Sequence, residues 1–341
     1  MYSFNNDYSE GAHPRLLEAL VNANLEQNDG YGLDVHSQAA AASIKKQIRR
    51  EDADIHFLVG GTQTNLVAIA SLLRPFQAAV AASTGHINVH ETGAIEGTGH
   101  KVLALPTPDG KLTPAIIDEC LKAHTDEHMV QPKLVYISDS TEIGTVYKKA
   151  DLEAIHHFCR QHDLYLYLDG ARLGSALTCE ENDLELADIA QMTDAFYIGG
   201  TKNGALLGEA LVILNPAMKA DFRFMLKNRG AMLAKGFISG IQFEELFRDN
   251  LFFEMASHEN EMAKILRNGI QELGYSFYSD SPTNQLFPIL PNGVIDKLEQ
   301  EFLFSRQYVI DDTHTAVRLV TSWATKETEV HRFLDTLKKL S

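Results

Sequence analysis

Apolar residues gather in short, largely apolar runs separated by stretches of helical periodicity. The runs 55–59, 133–137, 164–168, 195–198 and 206–214 are too short for helices and lack alternation. They predict strands buried on both faces, the mark of a parallel sheet. Between them, segments near 15–24 (led by Pro14), 34–50, 66–73, 113–123 and 151–162 predict helices, with an edge hairpin around Pro108-Asp109-Gly110. This rhythm predicts an α/β large domain over 15–236, a mostly parallel sheet flanked by helices. From Gly236 a long helix is expected through the aromatic-rich 237–253 segment and past Glu261. It forms the hinge to a small α+β domain, 237–341 together with 1–14. There, strands at 285–290 and 316–320 alternate with helices near 293–301 and 326–340.

Two strand ends carry chemistry. Tyr197-Ile198-Gly199-Gly200-Thr201-Lys202 places one lysine beyond two glycines at the end of a buried run. Desolvation there lowers an amine's pKa and frees it for Schiff-base formation. Leu168-Asp169-Gly170-Ala171-Arg172 ends another such run in a carboxylate, 33 residues earlier. Taken alone, Lys202 reads as a loop lysine and Asp169 as a helix cap. Together they meet the needs of pyridoxal 5'-phosphate: the lysine carries its aldehyde as an imine, and the aspartate keeps its ring nitrogen protonated. A third turn, Gly60-Gly61-Thr62, leads from strand to helix and offers backbone N–H groups and a hydroxyl to a phosphate.

With these motifs the chain resembles the low-specificity L-threonine aldolase family, within the β-eliminating lyase superfamily of fold-type I pyridoxal-phosphate enzymes. The likeness runs from Asn6-Asp7 through Tyr31-Gly32, Gly61-Thr62, His86 and Glu91 to Arg318-Leu319-Val320-Thr321. It implies retro-aldol cleavage of a β-hydroxy-α-amino acid, with Lys202, His86 and Asp169 catalytic. His86 is expected to stack on the cofactor ring. Gly61, Thr62, Arg172 and either Arg229 or Lys235 are expected to complete the cofactor site. Asn6, Tyr31, Arg172 and Arg318 are expected around the substrate. Arg318 interrupts an apolar strand, where a substrate carboxylate would be its partner. Tyr31 and the cationic 223–235 segment resemble parts shared between subunits, which implies a homodimer or homotetramer.

The chain departs from the family at Ser140-Thr141-Glu142, where many members carry Thr-His-Asn. His86, Glu142 or a water between them are then the candidates for the base on the β-hydroxyl. His86 and His90 with Glu91 also suggest a metal site, but the Glu does not follow the first His and no third ligand is apparent. No metal is expected, and His90 is given a structural role. β-Elimination or transamination of another amino acid is the rival chemistry. A catalytically silent cofactor-binding scaffold is the non-enzymatic rival.

Composition narrows the partners. With 30 basic and 46 acidic residues the formal charge is −16, which argues against nucleic acid or anionic membranes. Cys120, Cys159 and Cys179 are odd in number and lack metal spacing, favouring reduced thiols and a cytoplasmic protein. No membrane-length apolar run and no signal pattern at the start are expected to add to this.

Overall fold

The computed structural model describes residues 1–340. Its large sheet has seven strands: β1 (Asp54–Leu58), β2 (Gln77–Ala82), β3 (Lys101–Leu105), β4 (Gln131–Ser138), β5 (Tyr165–Asp169), β6 (Ala195–Gly199) and β7 (Glu209–Ile213). They lie in the order β1-β7-β6-β5-β4-β2-β3. All neighbours are parallel except β7, which is antiparallel to both β1 and β6. The expected continuation of the βα rhythm into 206–214 therefore fails in one respect. Only a short turn joins β6 to β7, and a parallel return needs a helix-length crossover.

Burial follows the strand period of two. Val135, Ile137, Leu166, Leu168 and Phe196 share one apolar cluster, while Leu134, Tyr136, Tyr167 and Tyr197 belong to another. β2 has no counterpart in the sequence reading. Its Gln-Ala-Ala-Val-Ala-Ala sequence holds one β-branched residue and no aromatic, so the usual strand composition is missing. The hairpin expected near Asp109 is also absent as such: β3 pairs in parallel with β2, and Asp109 Oδ1 accepts from Lys111 N in a local turn.

The single long helix expected after Gly236 is two helices, Phe237–Leu246 and Leu251–Glu272. Asp249 and Asn250 break it with φ of 55° and 62°, the left-handed region that Asp and Asn tolerate better than most residues. The first helix packs against Val35–Ile48 and Pro14–Asn22; the second reaches Leu173–Thr178 and Glu327–Leu340.

A separate apolar cluster joins Phe4 to Leu266, Leu290, Phe302, Leu319 and Phe333. Around it, His314–Val320 pairs antiparallel with Ile289–Pro291, Ser305–Val309 and Gln285–Leu286. Tyr2–Ser3 adds in parallel to Phe302–Leu303, which ties the first residues of the chain to its last hundred.

Candidate active site

The carboxyl ends of β4, β5 and β6 open into a cavity of about 310 Å3 bordered by Lys202, Asp169, His86 and Gly60–Thr62. Its floor is built by the strand pleat. Tyr167 and Asp169 are two apart on β5 and so share a face, and Tyr136 and Tyr197 stand on the strands to either side. A buried phenol needs a hydrogen-bond partner, and here the Asp169 carboxylate is that partner. Tyr136 donates to its Oδ2 at 2.6 Å and Tyr197 to its Oδ1 at 2.5 Å. Asn65 Nδ2 adds 2.9 Å to Oδ2, and the Ala171 amide 3.0 Å to Oδ1. Burial alone would raise this carboxyl; His86, the two phenols and Asn65 outweigh it and hold Asp169 below its ordinary value. Gly170 is required where β5 ends, since a Cβ there would meet Tyr197 O at 1.9 Å.

Asn65 links this carboxylate to a second one. Its Nδ2 also donates to Glu91 Oε1 at 2.7 Å, and its Oδ1 accepts from Tyr167 at 3.1 Å. His86 Nδ1 lies 2.8 Å from the same Glu91 oxygen. That contact fixes the proton on Nδ1, leaving Nε2 as the free position in the neutral ring. The His86 backbone N–H and Ser138 Oγ donate to Glu142 Oε1 at 2.8 and 2.7 Å. Glu142 is pushed up by burial, which favours its neutral acid.

Lys202 stands in the turn between β6 and β7, where the Gly200 and Thr201 amides donate to Gly208 O. Burial lowers its amine, and the Arg172 charge lowers it further. Glu209 accepts from Gly200 N at 3.0 Å beside it, and burial raises that carboxyl to about 8. Opposite, the helix Gly61–Leu72 starts from Gly60 without a side-chain cap. Its first N–H groups face the cavity beside the Thr62 hydroxyl, an arrangement suited to an anion.

A second cavity of about 500 Å3 adjoins the first, sharing His86, Glu142, Arg172 and Lys202 and adding Arg318, His90 and Tyr308. Arg318 Nε is buried without a hydrogen-bond partner, and its NH2 reaches only Asn5 O at 3.4 Å. Burial, then the Arg172 charge, lowers this guanidinium. A buried, under-partnered guanidinium fits a carboxylate ligand. Arg172 differs. Its Nε and NH2 grip Asp7 at 2.7 and 3.1 Å, and Asn284 Nδ2 donates to Asp7 at 3.0 Å. Asp7 is held low against the pull of burial by Arg172 and Lys202.

Four expected site residues stand outside both cavities. The Asn6 side chain accepts from Tyr8 N and Ser9 Oγ, each at 3.0 Å, and closes a local turn; its neighbours Asp7 and Tyr8 reach inward instead. Tyr31, at φ 64°, lies under Lys227 Nζ at 5.0 Å. Arg229 and Lys235 are exposed. Asn65, Tyr136, Tyr197 and Glu209 belong to the inner shell that sequence reasoning passed over, and Asp7, noted there only beside Asn6, joins them. The available signal was a tyrosine inside each of three adjacent buried strands, two of them on the strands flanking the one that ends in Asp169. The two cavities together offer an anion cup, a nucleophilic amine, a caged carboxylate and a cationic second chamber.

A sequence model of the Beta-eliminating lyase family matches residues 7–291. A low specificity L-threonine aldolase of Pseudomonas aeruginosa is 30% identical over 87% of this chain and 84% of its own length. Another from a Pseudomonas species is 31% identical over 96% and 94%. A solved structure of Leishmania major threonine aldolase superposes with TM-score 0.99 at 53% identity, covering 100% of this chain and 99% of that one. Thermus thermophilus aspartate aminotransferase, at 16% identity and TM-score 0.74 over 100% and 92%, shares the fold. These likenesses identify the architecture as that of fold-type I pyridoxal-phosphate enzymes.

Proposed function

This chain belongs to the beta-eliminating lyase family, and from that premise we propose a pyridoxal-phosphate-dependent aldehyde-lyase cleaving β-hydroxy-α-amino acids. L-Threonine and L-allo-threonine would give glycine and acetaldehyde. The observation that carries the reading is the pairing of two chambers. One holds Lys202 and the caged Asp169, and the other holds Arg318 with an unpartnered buried Nε.

The residues fit the cofactor. The helix N-terminus at Gly61 and Thr62 suits its phosphate, Asp169 its ring nitrogen, His86 its ring face and Lys202 its aldehyde. When bound, pyridoxal phosphate supplies an electron-accepting ring conjugated to the substrate nitrogen. The chain supplies orientation. Arg318, with Arg172 held in place by Asp7, fixes the substrate carboxylate and so turns the Cα–Cβ bond into the cleavable position. A base beside His86 accepts the β-hydroxyl proton.

The active form in this reading is a homodimer or a pair of dimers. Leu17, Val21, Leu25, Leu33 and Val35 leave large apolar side chains exposed within one short stretch, and Phe224 beside the cationic segment does the same, surface that a subunit contact would cover. Tyr31 with Arg229 or Lys235 would then serve a neighbouring subunit's substrate and phosphate. Three buried free thiols suit a reducing cytoplasm. The charge of −16 makes amino acids better partners than nucleic acid or membrane.

The test is a product assay on the purified protein with pyridoxal phosphate and L-threonine. Acetaldehyde and glycine in equal amounts support the reading. Ammonia with 2-oxobutyrate, or a 2-oxo acid formed only with an amino acceptor, replaces it by elimination or transamination.

A further inference from the structure

The sequence leaves the proton acceptor for the β-hydroxyl open, and the outer cavity narrows the choice. Glu142 is already an acceptor for His86 N and Ser138 Oγ, and burial favours its neutral acid, a poor base. Tyr308 is stacked on Tyr278 at 4.4 Å, and burial raises its phenol. His86 is pinned through Nδ1 by Glu91 and forms the wall between the two chambers, where the lyase reading gives its ring face to the cofactor.

His90 stands apart. It ends the turn His86–Val89, lines the outer chamber with Arg318 and Lys202, and packs on His86 with ring centroids 5.5 Å apart. Among the described residues its imidazole makes no hydrogen bond. Burial lowers its pKa, and His86, Arg318, Lys202 and Arg172 lower it further. Glu142 and the phenols of Tyr8 and Tyr308 face the same chamber. These charges favour the neutral ring, and an unpartnered imidazole that lines a chamber with Arg318 and Arg172 keeps a nitrogen lone pair available as a proton acceptor.

We propose that His90, resting on the lyase reading above, is the catalytic residue that takes the β-hydroxyl proton of the substrate. As the O–H proton moves to an imidazole nitrogen, the O–H electron pair becomes the second bond of the aldehyde carbonyl. The pair of the breaking Cα–Cβ bond stays with the amino-acid fragment, and a proton added at Cα completes glycine. His90 then returns its proton to solvent through the open side of the chamber. This role differs from the structural one expected of His90 from sequence.

The test separates β-hydroxyl chemistry from the rest of the site. His90→Asn and His90→Phe should each lower kcat for threonine cleavage about 100-fold, the scale of a positioned general base. Exchange of the glycine Cα proton in D2O needs no β-hydroxyl base and should fall no more than about threefold. A third readout needs no turnover: NMR of 15N-histidine-labelled, cofactor-free protein should show His90 titrating below ordinary histidine, with Arg318→Gln moving it upward. Threonine cleavage within twofold of wild type in both variants, or equal loss of both reactions, overturns the proposal. Wild-type protein that exchanges glycine yet releases no aldehyde sinks the lyase reading itself.

Discussion

Asn65 holds Asp169 through a 2.9 Å hydrogen bond from the same amide nitrogen that donates to Glu91 at 2.7 Å. One NH2 group thus bridges two buried carboxylates, at Asp169 Oδ2 and Glu91 Oε1. Asn65→Ala should strip a donor from each. Tyr136 and His86 still serve the two carboxylate oxygens, but the buried Tyr167 hydroxyl loses its acceptor; an unmet buried polar group costs about 1–3 kcal/mol, so the cofactor-free protein should melt several degrees lower. A melting temperature within one degree of wild type would show that water replaces the amide at no cost.

Asp169→Asn keeps the shape of the side chain but removes its charge. The phenols of Tyr136 and Tyr197, placed to donate at 2.6 and 2.5 Å, would still find an amide oxygen on one side only. Turnover should fall on the order of 100-fold or more, with cofactor affinity changed far less. Steady-state kinetics beside a cofactor titration check this, and a near-normal rate would put the ring-nitrogen partner elsewhere.

Lys202→Ala removes the amine that burial and Arg172 make nucleophilic. The visible absorbance given by lysine-bound cofactor should vanish while cofactor still binds at the Gly61–Thr62 helix end. Unchanged absorbance in the variant would take Lys202 out of its role.

Much of this site was legible from single strands. Lys202 and Asp169 announce themselves because an apolar run that stops at a charged residue beside glycine is a local pattern. Arg318 announces itself because a charge inside an apolar strand wants a partner. Asn65 and Asp7 could not be read this way. Asn65 gains its meaning from residues 104 positions away, and Asp7 from a guanidinium 165 positions away. Tyr136 and Tyr197 look like ordinary core residues until the register sets them on either side of Asp169. The same limit explains β2, whose alanines become a strand only through pairing with β3 and β4, and the helix break at Asp249, whose left-handed φ no periodicity reveals.

Asp139 gives a pH prediction for stability. Burial raises its carboxyl to about 7, against about 3.9 in an unfolded chain. The folded state therefore holds a proton that the unfolded state has released. The associated stability is full below about pH 4 and is lost as pH rises through about 7. Asp139→Asn, which cannot titrate, should show a smaller fall in Tm between pH 5 and pH 8 than wild type. An equal fall in both proteins would assign the dependence to other groups.

Tyr31 and Lys202 provide a test of assembly. If subunits share sites, mixing Tyr31→Ala with Lys202→Ala under exchange should restore activity, because one hybrid site has both wild-type residues. Recovery approaching a quarter of wild type is the expected ceiling for random dimers. No gain over the two parents, or a fully active monomer by ultracentrifugation, contradicts sharing.

The opening strand Tyr2–Ser3 is two residues long, yet it lies in parallel beside Phe302–Leu303, and Phe4 behind it is completely buried. Three residues further on, Asp7 clasps Arg172 and Asn284. The first handful of residues is thus a peg that seats Arg172, driven home only after the last third of the chain has been made. On a ribosome the large sheet can be finished while its substrate chamber still lacks a wall. A bulky fusion ahead of Met1 pulls on that peg directly, and cargo after the Glu327–Leu340 helix reaches it only through the Phe333 ring that packs on Phe4.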